Sequence, residues 1–254
     1  MKKLLFHVLM LSSLSSFGAS REYYELRTYH FKDAKQQQRV EAYLKDAFIP
    51  ALHRLGIKKV GVFKPLETDS AYEKNLLVLI PFRSLDDFDN LFAKLSKDNR
   101  YLTDGKDYID APYDNPPYQR FESAILKAFS GMPESAVPDL KGPRSERIYE
   151  LRSYEGHTEK IYRNKVKMFN DGDEIGLFKR LGFNAVFYAE TIAGSTMPNL
   201  VYMTTFENQS SRDAHWKAFV DDPQWKKLIV MPEYQHNVSK NVTTFFRPVT
   251  YSDF

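Results

Sequence analysis

Tyr24-Glu25-Leu26-Arg27-Thr28-Tyr29 returns 125 positions later as Tyr149-Glu150-Leu151-Arg152-Ser153-Tyr154. Each copy alternates, with a leucine on one side and Glu, Arg and Tyr on the other, which is the two-residue period of a β-strand rather than of a helix. Each half of the chain therefore opens on a strand that carries a carboxylate, a guanidinium and a phenol on one face. What surrounds the two strands also occurs twice.

After the first copy, Val40, Tyr43, Leu44, Ala47, Phe48, Ala51, Leu52 and Leu55 recur at three- and four-residue intervals. This predicts a helix over about 33–55, stopped by Gly56 and kinked near Ala47 because Pro50 lacks a backbone donor. Residues 60–63 and 76–80 predict a hairpin, and Ser84 caps a second helix with Leu85, Phe88, Leu91, Phe92 and Leu95 on its buried side. A loop rich in Tyr, Asp, Asn and Pro spans 96–118, and 121–129 reads as a fourth strand. The order is βαββαβ, the ferredoxin-like unit.

Residues 130–146 shift to Gly, Pro, Ser and charge, the composition of a linker. The plan then repeats: Leu52-His53-Arg54-Leu55-Gly56 is answered by Phe178-Lys179-Arg180-Leu181-Gly182. Residues 184–190 and 200–206 form the second hairpin, Asp89, Phe92, Leu95 and Asp98 are answered by Asp213, Trp216, Phe219 and Asp222, and a last strand covers 239–246. A near-constant offset over a whole half marks a duplication. The expected fold is α+β, with two tandem ferredoxin-like repeats over 21–129 and 147–254. The copies differ where Asn170-Asp171-Gly172-Asp173 interrupts the second copy's first helix, and where Trp225, Met231, Pro232 and Tyr234 replace the Tyr-rich loop.

In a chain of 254 residues, 43% hydrophobic and 15% aromatic content is enough for a buried core. Residues 1–20 are of another kind: Met1-Lys2-Lys3, an apolar run over 4–14, then Gly18-Ala19-Ser20, which reads as a signal peptide cleaved after Ser20. Export to a periplasm or to the outside is expected. The apolar run falls short of the ~20 residues a spanning helix needs, so no membrane span is expected. Loss of Lys2 and Lys3 leaves 34 of 36 basic residues against 33 acidic ones, and no block of like charge stands out, so no nucleic-acid partner is expected. With no cysteine, the chain has no disulfide, thiolate metal site or thiol nucleophile. His30, His53, His157, His215 and His236 show no metal-ligand spacing, and Asp171-Gly172-Asp173-Glu174 lacks the spaced ligands of a calcium loop, so neither a metal nor another cofactor is expected.

The two Tyr-Glu-Leu-Arg-[Thr/Ser]-Tyr strands, each followed by a helix, an apolar hairpin and a second helix, resemble the NIPSNAP family over nearly all of the chain beyond the leader. The resemblance implies a dimeric α+β barrel, two ferredoxin-like sheets closed against each other with helices outside. The sheets could come from one chain or from two molecules. The family's activity is poorly defined, so the resemblance carries fold further than function.

In such a barrel, Glu25, Arg27 and Tyr29, with Glu150, Arg152 and Tyr154, are expected to line the lumen. One reading makes them a ligand-binding pocket, Arg clamping an acidic or carbonyl-bearing small molecule and Tyr or Glu moving a proton. The other makes them an ion-pair network that fixes strand register. His30 and His157 stand just past the two strands and, with Tyr29 and Tyr154, are the candidate catalytic residues. The sequence thus favours a small-molecule-binding or interaction module, with a cofactor-independent mono-oxygenase or isomerase as the alternative. Homo-oligomers through sheet edges or the aromatic loop are a further expectation.

Overall fold

The computed structural model describes residues 20–254, so the expected leader lies outside it except for Ser20. The strands are β1 (Tyr23–His30), β2 (Gly61–Pro65), β3 (Asn75–Phe82), β4 (Arg120–Ala128), β5 (Ile148–Glu155), β6 (Phe187–Ala193), β7 (Asn199–Phe206) and β8 (Lys240–Pro248). All eight close into one barrel in the order β1-β3-β2-β8-β5-β7-β6-β4. Each half supplies four adjacent strands in the spatial order fourth, first, third, second. The question of one chain or two is thereby answered, because the barrel closes within a single chain. Both seams are short: β2 meets β8 over Phe63–Pro65, and β4 meets β6 over 125–128. Beyond the seams, the first residues of β4 and β8 continue with a strand partner on one side only.

The helices cover the outside. In the first half these are α1 (Ala34–Tyr43), α2 (Ile49–Arg54), α3 (Leu85–Asp89), α4 (Leu91–Leu95), α5 (Asn99–Asp104) and α6 (Lys106–Ile109); the second half has α7 (Glu159–Asn170), α8 (Glu174–Arg180), α9 (Gln209–Asp221) and α10 (Pro223–Leu228). The helix starts follow the capping chemistry: Asp33, Ser84, Thr158 and Asn208 each accept a backbone N–H of the first turn. Where a kink was expected near Ala47, residues Leu44–Phe48 form a π-helical turn, and the Ile49 N–H reaches the Leu44 carbonyl. Pro50 removes the next donor, so the ladder widens by one residue there. The loop expected over 96–118 contains α5 and α6. Asp98 caps Tyr101 N–H at 3.0 Å and so starts a helix that polar composition disguises. The second copy's first helix is broken as expected, Asp173 standing at φ +59° between α7 and α8.

Two kinds of core result. Tyr24, Phe63, Leu77, Leu79, Leu126, Tyr149, Phe187, Val201, Met203 and Phe246, drawn from all eight strands, fill the barrel interior. Separate clusters pack each half's outer sheet face against its own helices. The interior joins the halves crosswise: Tyr24 packs on Phe187 at 5.3 Å between ring centroids, and Tyr149 on Phe63 at 5.2 Å. Residues 130–146 have no helix or strand but are anchored at several points. Ser135 donates N–H and Oγ–H to Glu22, Ala136 N–H reaches the Val186 carbonyl, and Leu140 is buried in the barrel-interior cluster.

Candidate functional site

Strand parity decides which side chains can form a site. On β1, Tyr24 and Leu26 point into the barrel, so Glu25, Arg27 and Tyr29 point outward, beneath the helices. On β5, Tyr149 and Leu151 point inward, and Glu150, Arg152 and Tyr154 outward. The expectation that these six line the lumen is therefore corrected. Both faces of a helix-covered barrel strand are buried, so alternation identifies two faces without saying which is inside. The lumen is packed largely with apolar side chains, with Ser153, Thr191 and Asn199 hydrogen-bonded to one another on its inward face, and the Glu-Arg-Tyr sets lie between sheet and helices.

In the first half the Glu25 carboxylate is 1% exposed and accepts Arg27 Nε at 2.9 Å, Arg27 Nη2 at 3.0 Å and Ser123 Oγ at 2.8 Å. Arg27 Nη1 donates to the Tyr29 hydroxyl at 3.2 Å, and that hydroxyl bonds Tyr108 at 3.1 Å. The guanidinium lies over Phe121, with its carbon 4.9 Å from the ring centre. Burial works against the Arg27 charge, but Tyr29 and Glu25 more than offset it and hold its pKa above the ordinary value. Burial first, then Tyr29, pushes the Tyr108 phenol well up, so it stays protonated.

The second half repeats this set and enlarges it. Glu150 is fully buried and accepts Arg152 Nε at 2.6 Å, Arg212 Nε at 2.8 Å and Nη2 at 3.0 Å, and the Trp216 indole N–H at 2.8 Å. Burial alone would raise the Glu150 pKa, but the bonds from Arg212, the Arg152 charge and Trp216 hold it below the usual carboxylate range. Arg152 Nη1 donates to Tyr154, which bonds Tyr202 at 2.9 Å, and the Arg152 guanidinium stacks 3.7 Å from the Trp216 ring centre. Close by, Lys165 and Glu174 form a buried ion pair at 3.0 Å, with the ammonium 4.8 Å from the centre of the Phe169 ring and 5.6 Å from that of Tyr154. Burial pushes the Tyr202 phenol well up, with Tyr154 adding to it. These groups can donate hydrogen bonds and hold fixed positive charge in a largely dry layer.

The histidines do not join the polar sets. His30 has inward parity at the barrel rim, bonded to Asn75 at 3.0 Å and Glu122 at 3.1 Å, and His157 is exposed just before α7. Sequence reasoning missed Arg212, Lys165, Glu174, Ser123, Tyr108 and Tyr202. Arg212 and Trp216 stand four apart on one helix, a spacing that puts both on one face. A lysine inside an amphipathic helix, such as Lys165, normally reads as solvated, and nothing local marked it otherwise. Among the described residues, no group of three or more His, Asp or Glu could hold a metal ion, and no helix is long and apolar enough to cross a membrane.

A NIPSNAP family model matches residues 149–253. No curated protein matches the chain. Among solved structures, a candidate monooxygenase from Lactobacillus acidophilus NCFM is similar at a TM-score of 0.58 and 10% identity, covering 90% of this chain and 94% of that one. An anthrone oxidase-like protein is similar at 0.52 and 12%, covering 91% and 93%. A NIPSNAP family protein from Agrobacterium tumefaciens str. C58 covers 44% of this chain and 97% of that one, at 18% identity and a TM-score of 0.38. The first two likenesses run over the closed barrel as a whole and show its fold, an α+β barrel of the dimeric α+β barrel type, and only that.

Proposed function

We propose that the protein, whose residues 149–253 match a NIPSNAP family model, binds a small oxygen-bearing molecule between sheet and helices, with Arg152 as the clamp. One observation carries the reading. Arg152 spends Nε on Glu150 and Nη1 on Tyr154, its Nη2 has no acceptor among the described residues, and 14% of the side chain stays accessible while Glu150 is sealed. A guanidinium held charged and flat against Trp216, with a donor to spare, is suited to a carboxylate or carbonyl oxygen. Tyr154 would supply a second donor and Glu150 would fix the guanidinium. Glu25, Arg27 and Tyr29 would do the same in the first half, where Arg27 is more fully engaged. The test is native mass spectrometry of protein from its natural source: a bound small molecule should be present and should be lost in Arg152→Gln. Retention of the same ligand by that variant would overturn the reading.

We further read residues 21–129 and 147–254 as tandem ferredoxin-like repeats joined by 130–146, supported by the duplicated hexapeptide and the shared strand order of the two halves. The leader over 1–20 would direct export, and N-terminal sequencing of the mature protein should begin at Arg21. A second reading is cofactor-independent oxygenation. It draws on the solved structures described as a candidate monooxygenase and an anthrone oxidase-like protein, and on the Tyr154–Tyr202 pair beside a buried cation. Metal-free protein should then consume oxygen with a phenol, quinol or anthrone, and Tyr154→Phe should slow it. No uptake across such a panel would count against it. His30 and His157, the candidate bases, stand away from this pair, so their variants should keep the activity.

A further inference from the structure

The Leu-Gly helix end occurs in both halves, and there the halves differ most. In the second half the place is closed. His215 Nε2 would lie 3.3 Å from a Cβ on Gly182, and the His215 ring packs against Phe183 and Phe206. Glu207, just past β7, accepts the N–H groups of Lys141 at 2.8 Å and Gly142 at 2.6 Å, so the chain between the halves is drawn across it. In the first half the place is open: Gly56 has nothing within 4 Å of where a Cβ would stand. At the matching offset of 124, Leu91 replaces His215 and Arg83 replaces Glu207, reversing the charge. What remains is a cleft of about 510 Å³ with Leu55, Ile57, Lys58, Phe82, Arg83 and Leu91 in its lining.

The charges of this cleft are unevenly satisfied. Lys94 pairs with Asp87 at 3.3 Å, Lys59 donates to the Ser135 carbonyl at 2.7 Å, and Glu22 is taken by Ser135. Among the described residues, Lys58 and Arg83 have no carboxylate within ion-pair distance, and both are exposed. Glu134, the remaining carboxylate of the lining, is exposed and likewise has no ion-pair partner among the described residues, so two free cations against one free carboxylate, above an apolar floor, define the chemistry of the occupant. We propose that the cleft binds an amphipathic anion, its carboxylate or phosphate head on Arg83 and Lys58 and its apolar body on Leu55, Ile57, Phe82 and Leu91. The site is separate from the Arg152 set and does not rest on it. The duplication supplies the reason for its existence, since the second half's closed version holds the molecule together and leaves the first half's version open to a ligand.

Isothermal titration calorimetry on the purified protein tests this with octanoate, octyl phosphate and octanol. One or both anions should bind, and octanol at least about tenfold more weakly, because a charge-assisted bond to guanidinium is worth roughly one decade. The stronger of the two anions identifies the head group. Arg83→Glu combined with Lys58→Ser should weaken anion binding about tenfold or more, and since both side chains are exposed the thermal melt should not move. No anion binding at millimolar concentration, equal binding of octanol, or full retention in the double variant would each overturn the proposal.

Discussion

Glu25 and Glu150 hold the same place in two strands but are secured by different numbers of cations. Glu25 has Arg27 alone, with Ser123, whereas Glu150 has Arg152, Arg212 and the Trp216 indole. Breaking a buried pair costs mainly through the charge left behind. Arg27→Gln should therefore destabilise by about 3 kcal/mol and Arg152→Gln by about 1 kcal/mol, measured by urea unfolding. The reverse order would show that Ser123 suffices for Glu25. Acid titration gives a second measurement. The Arg212 and Arg152 cations and the Trp216 N–H hold the folded-state pKa of Glu150 below the ordinary carboxylate value, so its stabilisation is present above that ordinary value and drains away as pH falls through the folded-state pKa. Glu150→Gln should flatten the loss of stability below about pH 4.5, while lowering stability at neutral pH. The buried Lys165–Glu174 pair follows the same rule: Lys165→Met should be strongly destabilising, and Lys165→Met with Glu174→Leu should recover most of the loss, because an apolar pair strands no charge.

At the scale of elements, three sequence expectations translate directly into geometry and two do not. The strands, the Ser84-capped helix start and the break before Glu174 follow from alternation, from the Ser84 side chain, and from the Asn170-Asp171-Gly172-Asp173 run, all local causes. The π-helical turn at Leu44–Phe48 has a local cause in Pro50, but its form depends on Leu44, Ala47 and Phe48 all being buried under the first sheet. The two helices within 96–118 are held by tertiary contacts. Tyr108 stacks on Tyr43 with ring centroids 3.7 Å apart, and Arg39 takes the Asn115 carbonyl at 2.8 Å. Tyr108→Ala should therefore loosen α5 and α6 together, seen as faster hydrogen exchange over 99–118, with little change in the second half. Glu207→Ala should release Lys141 and Gly142 in the same assay. Unchanged protection at those two amides would mean that the segment is fixed by Leu140 instead.

At the scale of the molecule, the halves depend on each other through two short seams and a shared interior. A half on its own would expose the inward faces of four strands and two unpaired edges, both of which favour association. Residues 21–129 and 147–254 expressed separately should each dimerise or aggregate in light scattering, and when co-expressed should form one complex of the mass of the intact barrel. A stable folded monomer of either half would contradict this. The sequence by itself determined the strands of each half and that Glu25, Arg27 and Tyr29, like Glu150, Arg152 and Tyr154, share one strand face, because these rest on local periodicity and on the recurrence of Tyr24–Tyr29 at Tyr149–Tyr154. Only the tertiary structure decided that the barrel closes within one chain, that Glu25, Arg27 and Tyr29 and their counterparts face the helices, and that Arg212, Trp216 and Lys165 join them. The reason is physical: both faces of β1 and β5 are covered, one by the barrel interior and the other by helices, so inside and outside are distinguished by what closes against them, which is set by residues a hundred positions away.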